Sequence, residues 1–158
     1  MTWLIPFVTE SNRIEGIEGH RLAEVHAHAR MLNEPVLRIE HLEHFVQVVA
    51  KAALRDRPGM NVTVGGHMPP SGGPELRGRL LSLLWSACEG QQLRSPFRVH
   101  REYETLHPFM DGNGRSGRLL WLWMMEKRAD GRMELSTRPW RRLGFLHWWY
   151  YQSLEDPR

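Results

Sequence analysis

HPFMDGNGRSGR, residues His107 to Arg118, is the stretch on which the reading of the whole chain turns. Pro108 pushes the residue before it out of the α region, so a preceding helix should end at Leu106 or His107. Phe109 is a lone large apolar residue in a polar loop and should anchor that loop in a core. Gly112, Asn113 and Gly114 open the next helix with almost no side-chain bulk. Bare backbone N–H groups at a helix N-terminus make a site for anionic oxygens. Arg115 and Arg118 are three apart, hence on one face above that site, and each offers a planar fork suited to phosphate. Asp111 can hold Mg²⁺ through its carboxylate while phosphates complete the shell. His107, whose neutral form is abundant near pH 7, can accept a proton.

A phosphate nest, two arginines, a metal carboxylate and a base within twelve residues suit phosphoryl or nucleotidyl transfer, where positioning and charge stabilisation do most of the catalysis. Two other motifs fit less well. GNGRSG matches G-x-G-x-x-G, but the dinucleotide fingerprint needs a buried strand before it, and LHPFMD precedes it here. A phosphate loop of the Walker type needs Gly-Lys-Ser/Thr, which is absent. A glycine-rich interhelical turn with surface arginines would leave the convergence of His, Asp, Asn and two Arg unexplained.

Outward from this segment, helical periodicity dominates. Leu22, Val25, Ala29 and Leu32 mark one helix, and Ile39, Leu42, Val46, Val49 and Ala53 a second. Leu76, Leu80, Leu83, Leu84 and Ala87 follow Pro74, a good first-turn residue. Val99, Tyr103 and Leu106 lead into His107, and Leu119, Leu120 and Trp123 continue beyond Gly112. A last helix after Pro139 carries Leu143, Leu146, Tyr150 and Leu154. Tryptophans at helical positions, Trp85, Trp121, Trp123, Trp148 and Trp149 among them, read as core. Asn61-Val62-Thr63-Val64 alternates with period two, and Gly65-Gly66 supplies a tight turn, so residues 61–70 read as one short hairpin. The expected fold is an all-α bundle with one β-hairpin, a single domain over residues 1–158.

The 158 residues suffice for one real core, and 41% hydrophobic with 25% charged is ordinary for a soluble protein. The net charge of +3 comes from scattered arginines without a basic block, so no nucleic-acid partner is expected. No apolar run is long enough to span a membrane. The N-terminal TWLIPFV lacks a basic flank and a cleavage site. A single cysteine, Cys88, cannot form an internal disulfide, so the expected compartment is the cytoplasm. His41 and His44 lack a third metal ligand, and an exposed polar face is the simpler reading. The apolar Trp3–Val8 stretch and the crowded last helix suggest a homodimer surface.

HPFMDGNGRSGR resembles the signature of the Fic family, H-P-F-x-D/E-G-N-G-R-x-x-R, at every defined position. His100-x-x-Tyr103-x-x-Leu106 is similar to the helix leading into that signature, and NVTVGGHMPP to the family's flap. The resemblance implies an α-helical Fic core and a transferase that uses ATP and Mg²⁺ to place AMP on a protein hydroxyl, the chain itself being one available target. It implies that His107 deprotonates the Ser, Thr or Tyr hydroxyl and that Asp111 binds Mg²⁺. Gly112, Asn113 and Gly114 would form the anion hole, with the Asn113 amide added, while Arg115 and Arg118 orient the β- and γ-phosphates. Val62, Thr63, Val64, Gly65, Gly66 and His67 would clamp the target backbone by strand addition.

SNRIEG, Ser11 to Gly16, lies ahead of any long helical pattern and by itself reads as a capped helical turn, within a turn or helix over residues 9–17. Ser11 can cap, Ile14 can pack and Gly16 can end the turn. Beside the Fic signature, Ser11, Glu15 and Gly16 resemble the family's inhibitory motif, S/T-x-x-x-E-G/N. A Glu15 carboxylate against the Arg118 guanidinium would compete with the γ-phosphate for it. Three alternatives stay open: removal of AMP with Glu15 orienting a water, alone or besides transfer; transfer of another nucleotide such as UMP; and a non-catalytic binding module.

Overall fold

The computed structural model describes residues 2–89, 94–129, 138–142 and 145–146. Six α-helices appear among them: α1 (Leu4–Ile14), α2 (Leu22–Leu32), α3 (Ile39–Val49), α4 (Pro74–Glu89), α5 (Pro96–Leu106) and α6 (Asn113–Ala129). A 3₁₀ turn, Pro139–Arg141, follows. None of these helices is long and apolar enough to cross a membrane.

Helix α6 is the axis, buried around its whole circumference from Leu119 to Met124 and packed by α5, α2, α3 and α1. A helix apolar all round can only be central. The ends of the surrounding helices are written in local chemistry. Ser95 Oγ accepts from Arg98 N at 3.2 Å with Pro96 in the first turn, so α5 starts there. It stops at His107, whose φ of 49° and ψ of 61° are left-handed, immediately before Pro108. Glu24 turns back to accept from Arg21 N at 2.9 Å and fixes the start of α2.

Helix α1 starts earlier than the turn or helix expected over residues 9–17. Ser11 to Ile14 are not an isolated turn but the last turn of an eleven-residue helix, with Glu15 at its C-cap. Leu4, Phe7, Val8 and Ser11 form its buried stripe, so the Trp3–Val8 stretch expected to face a second copy packs largely into the protein's own core. Pro6 is tolerated because the first four N–H groups of a helix lack intrahelical acceptors anyway. Ser11 therefore caps nothing. Gly16, at φ 73°, ends the helix as expected.

The expected hairpin shrinks to a tight turn. Val64 and His67 exchange both backbone hydrogen bonds, at 3.0 and 2.9 Å, around Gly65-Gly66, and the pairing goes no further among the described residues. The next bonded pair would join Val62 to Pro69, which has no N–H to give. Helix α3 stops at Val49, short of Ala53. Trp85 is 62% exposed, against expectation, whereas Trp121 and Trp123 lie in the core. The last expected helix lies mostly outside the described residues.

Below the turn, Gly72 is a close-contact glycine. A Cβ there would meet three carbonyl oxygens, those of Met60, Arg57 at 2.9 Å and Arg55 at 3.0 Å. Gly72→Ala should lower stability by ~1–3 kcal/mol, because backbone oxygens cannot step aside as side chains do. Urea unfolding checks this, and an unchanged midpoint would rule it out.

Candidate active site

The loop before α6 is clasped by Asn113. Its Oδ1 accepts from Phe109 N and its Nδ2 donates to Phe109 O, both at 2.8 Å. The expected anion-hole amide is thus largely spent on holding the loop, with one N–H remaining. Phe109 is fully buried, as an anchor should be, and an antiparallel bridge joins it to Leu54. The first ladder bond of α6 runs from Ser116 N to Gly112 O at 3.0 Å, so the N–H groups of Asn113, Gly114 and Arg115 precede the ladder. Gly112 N instead donates to Asp111 Oδ1 at 2.6 Å. Asp111 is exposed, and its other oxygen is engaged by no described residue.

His107 is half-buried, and its Nδ1 lies 3.3 Å from the Glu104 carbonyl. A carbonyl can only accept, so Nδ1 carries the proton and Nε2 keeps its lone pair. Burial lowers the His107 pKa; the Glu104 carbonyl raises it, and Arg55 and His67 lower it further. The imidazole is therefore neutral at pH 7.

The two arginines separate. Arg115 donates from Nη1 to Val49 O at 2.7 Å, and its buried Nε has no partner among the described residues. Arg118, 0% exposed, turns to α1. It donates from Nε to Ser11 Oγ at 2.8 Å and from Nη2 to Ser11 O at 2.9 Å and Glu15 Oε1 at 2.6 Å. Ser11 thus serves as an acceptor for Arg118. The Glu15 carboxylate lies over Gly114, where a Cβ would run into Oε1. It fills the helix N-terminus where an anion would bind.

Residues the sequence reading missed hold α1 in place. Asn12 donates from Nδ2 to Glu24 Oε2 and to Gly19 O, both at 3.0 Å, which ties the turn to α2. His67, read as a target-binding candidate, places Nε2 3.1 Å from Thr105 O and tethers the flap turn to α5. Val62 is half-buried, while Thr63, Val64, Gly65 and Gly66 are exposed. Among the described residues no cluster of three or more His, Cys, Asp or Glu could hold a metal, His41 and His44 included.

Buried His28 and His100 and half-buried Glu104 sit behind the site. Burial pushes His28 and His100 down to about 4. Burial pushes Glu104 up to about 8, with Arg118 pulling it down and Glu15 pushing it up. The Glu104 side chain is 26% exposed, but its Oε1 is enclosed without a hydrogen-bond partner among the described residues, and that oxygen sets the direction. The two histidines lose stability as pH falls from 6.5 towards 4, since only the unfolded chain takes up their protons. Glu104 works oppositely: its folded form holds a proton that the unfolded chain releases near 4.5, so stability drops as pH rises towards 8. Thermal stability should peak near about pH 6.5, and Glu104→Gln should flatten the fall above it. An equally steep fall in that variant would remove Glu104 as the cause.

The Fic/DOC family profile matches residues 20–125. A protein of Culex quinquefasciatus named Protein adenylyltransferase Fic is 42% identical over 69 residues, covering 37% of this chain and 13% of that relative. The chain therefore aligns with only a small part of that protein's length. The family match covers more than half of the chain and contains the whole His107–Arg118 loop: the chain belongs to the Fic/DOC family.

Proposed function

We propose that this chain is a protein adenylyltransferase that moves AMP from ATP to a serine, threonine or tyrosine hydroxyl and releases pyrophosphate. One observation carries the reading: a neutral His107 with Nε2 available stands beside an anion-binding helix N-terminus backed by a buried arginine. His107 Nε2 takes the proton of the target hydroxyl as its oxygen attacks the α-phosphorus. The N–H groups of Asn113, Gly114 and Arg115 receive charge developing on phosphate oxygens. Arg115 and Arg118 orient the polyphosphate, so that pyrophosphate leaves opposite the attacking oxygen. The name of the Culex quinquefasciatus relative supports the same chemistry.

Asp111 fits Mg²⁺. It offers an exposed carboxylate oxygen next to the phosphate site, and Mg²⁺ usually takes one or two carboxylates and completes its shell with water and phosphate. When bound, the ion neutralises phosphate charge.

The Glu15–Arg118 pair gives the reading its second half: α1 restrains the enzyme by occupying the place of the γ-phosphate. The Glu15 side chain is 36% exposed, and only Oε1 is engaged among the described residues. Its other oxygen can orient a water, which favours AMP removal as a second reading. Incubation of Glu15→Gly and wild type with each labelled nucleoside triphosphate, Mg²⁺ and a cell lysate tests both. Mass spectrometry should find AMP on a hydroxyl. A UMP adduct instead would change the donor, and no adduct with any nucleotide would end the transferase reading. Release of AMP from a modified target by wild type but not by Glu15→Ala would establish removal.

A further inference from the structure

Arg55 is 0% exposed, and among the described residues no carboxylate lies within ion-pair distance of it. Every partner of its guanidinium is a backbone carbonyl. Nε donates to His107 O at 2.7 Å and Nη2 to Leu106 O at 2.9 Å. Nη1 donates to Met60 O at 3.1 Å and to Pro70 O at 2.9 Å. Met60 and Pro70 bracket the flap turn, while Leu106 and His107 end α5. The Arg55 backbone joins the same parts, its N donating to Pro108 O at 2.8 Å and its O accepting from Gly73 N at 2.9 Å.

A buried cation without a counter-ion is expensive unless several oxygens receive its hydrogens. Here four of five N–H groups do so, in directions fixed by one planar fork. The fork's spacing therefore sets the separation between the flap base and the left-handed His107. That conformation is disfavoured for a residue with a Cβ and persists where surroundings hold it. Nothing in the contacts of Arg55 reaches Arg115, Arg118 or the N-terminus of α6.

We propose that Arg55 is a positioning residue that locks the flap to the catalytic histidine, so that a target backbone held by the flap presents its hydroxyl to His107 Nε2. The inference deepens the adenylyltransferase reading and rests on it for the reaction, though not for the mechanical coupling. A lysine keeps the charge but not the fork, and a methionine keeps most of the volume without donors.

The test compares Arg55→Lys and Arg55→Met, each in Glu15→Gly. Hydrogen exchange should speed up at least tenfold in both 61–73 and 107–110, while exchange in α2 and α6 is unchanged. The Kd for MgATP should stay within twofold and kcat for AMP transfer should fall at least tenfold, with Arg55→Lys recovering only part of it. A purely structural role predicts that ATP affinity falls together with rate. Faster exchange in only one of the two segments, an unchanged kcat, or ATP affinity lost in step with kcat would each overturn the proposal. If the Glu15→Gly control transfers no nucleotide, the adenylyltransferase reading fails instead, and the paired exchange alone decides the coupling.

Discussion

Glu15→Gly should transfer AMP roughly 10–100-fold faster than the wild-type protein at saturating MgATP. The size follows from the interaction that is removed. A hydrogen bond to a charged group is worth about 1.5–3 kcal/mol, and each 1.36 kcal/mol is a factor of about ten in rate. The Glu15 carboxylate meets Arg118 Nη2 at 2.6 Å in a site where the guanidinium is fully buried, so this pair belongs at the strong end of that range. On the proposed function, ATP must displace the carboxylate to place its γ-phosphate, or bind with that phosphate elsewhere and its α-phosphorus out of line. Glycine suits the position, because Glu15 is the residue at which α1 ends. Ser11→Ala should release the brake less, since Arg118 then loses the Ser11 hydroxyl but keeps the Ser11 carbonyl and Glu15. Initial rates with α-labelled ATP check the order Glu15→Gly, then Ser11→Ala, then wild type; a Ser11→Ala variant faster than Glu15→Gly would invert it.

His107→Ala, introduced into Glu15→Gly, should reduce transfer about 10²–10⁴-fold, the range that general-base catalysis contributes. The imidazole is poised for the task in three ways. It is half-buried and neutral at pH 7, its Nδ1–H is committed to the Glu104 carbonyl, and Nε2 keeps the lone pair. Of the loop's other polar side chains, Asp111 accepts from Gly112 N at 2.6 Å, while Arg115 and Arg118 act as donors to Val49 and to α1. MgATP should bind within about twofold of the parent, because the groups proposed to hold it, Asp111 and the start of α6, are unchanged. Rapid-quench measurement of AMP transfer and calorimetric titration separate the two effects. A variant that loses ATP affinity and rate together would mean that His107 shapes the pocket instead of acting on the hydroxyl.

The His107–Arg118 loop was legible because its backbone is specified by residue type. Pro108 and Gly112 dictate the turn, and the run of small residues opens the helix. Helices α2 to α5 were legible through their apolar stripes. Helix α1 carries the same stripe at Leu4, Phe7, Val8 and Ser11, but Pro6 disguised it and left SNRIEG looking isolated. The flap kept the alternation of Asn61 to Val64 without becoming a ladder, because the pairing partner at the decisive position is Pro69. Side-chain commitments were harder to read. Asn113 clasps Phe109, and Arg115 reaches the end of α3 at Val49. Arg55 had no sequence signal at all, since its guanidinium's partners are carbonyls as far as 52 residues away and a carbonyl has no residue type.

If Glu15 stands where the γ-phosphate belongs, nucleotide affinities will show it. Because His107→Ala should slow turnover strongly, Kd values for ATP and ADP with Mg²⁺ can be measured in that variant with and without Glu15→Gly. With Glu15 present the two nucleotides should bind nearly alike. Glu15→Gly should add a preference of at least ~10-fold for ATP, because its γ-phosphate then pairs with the Arg118 guanidinium and ADP has no group that reaches so far. An ATP-to-ADP ratio that is the same in both proteins would contradict the account.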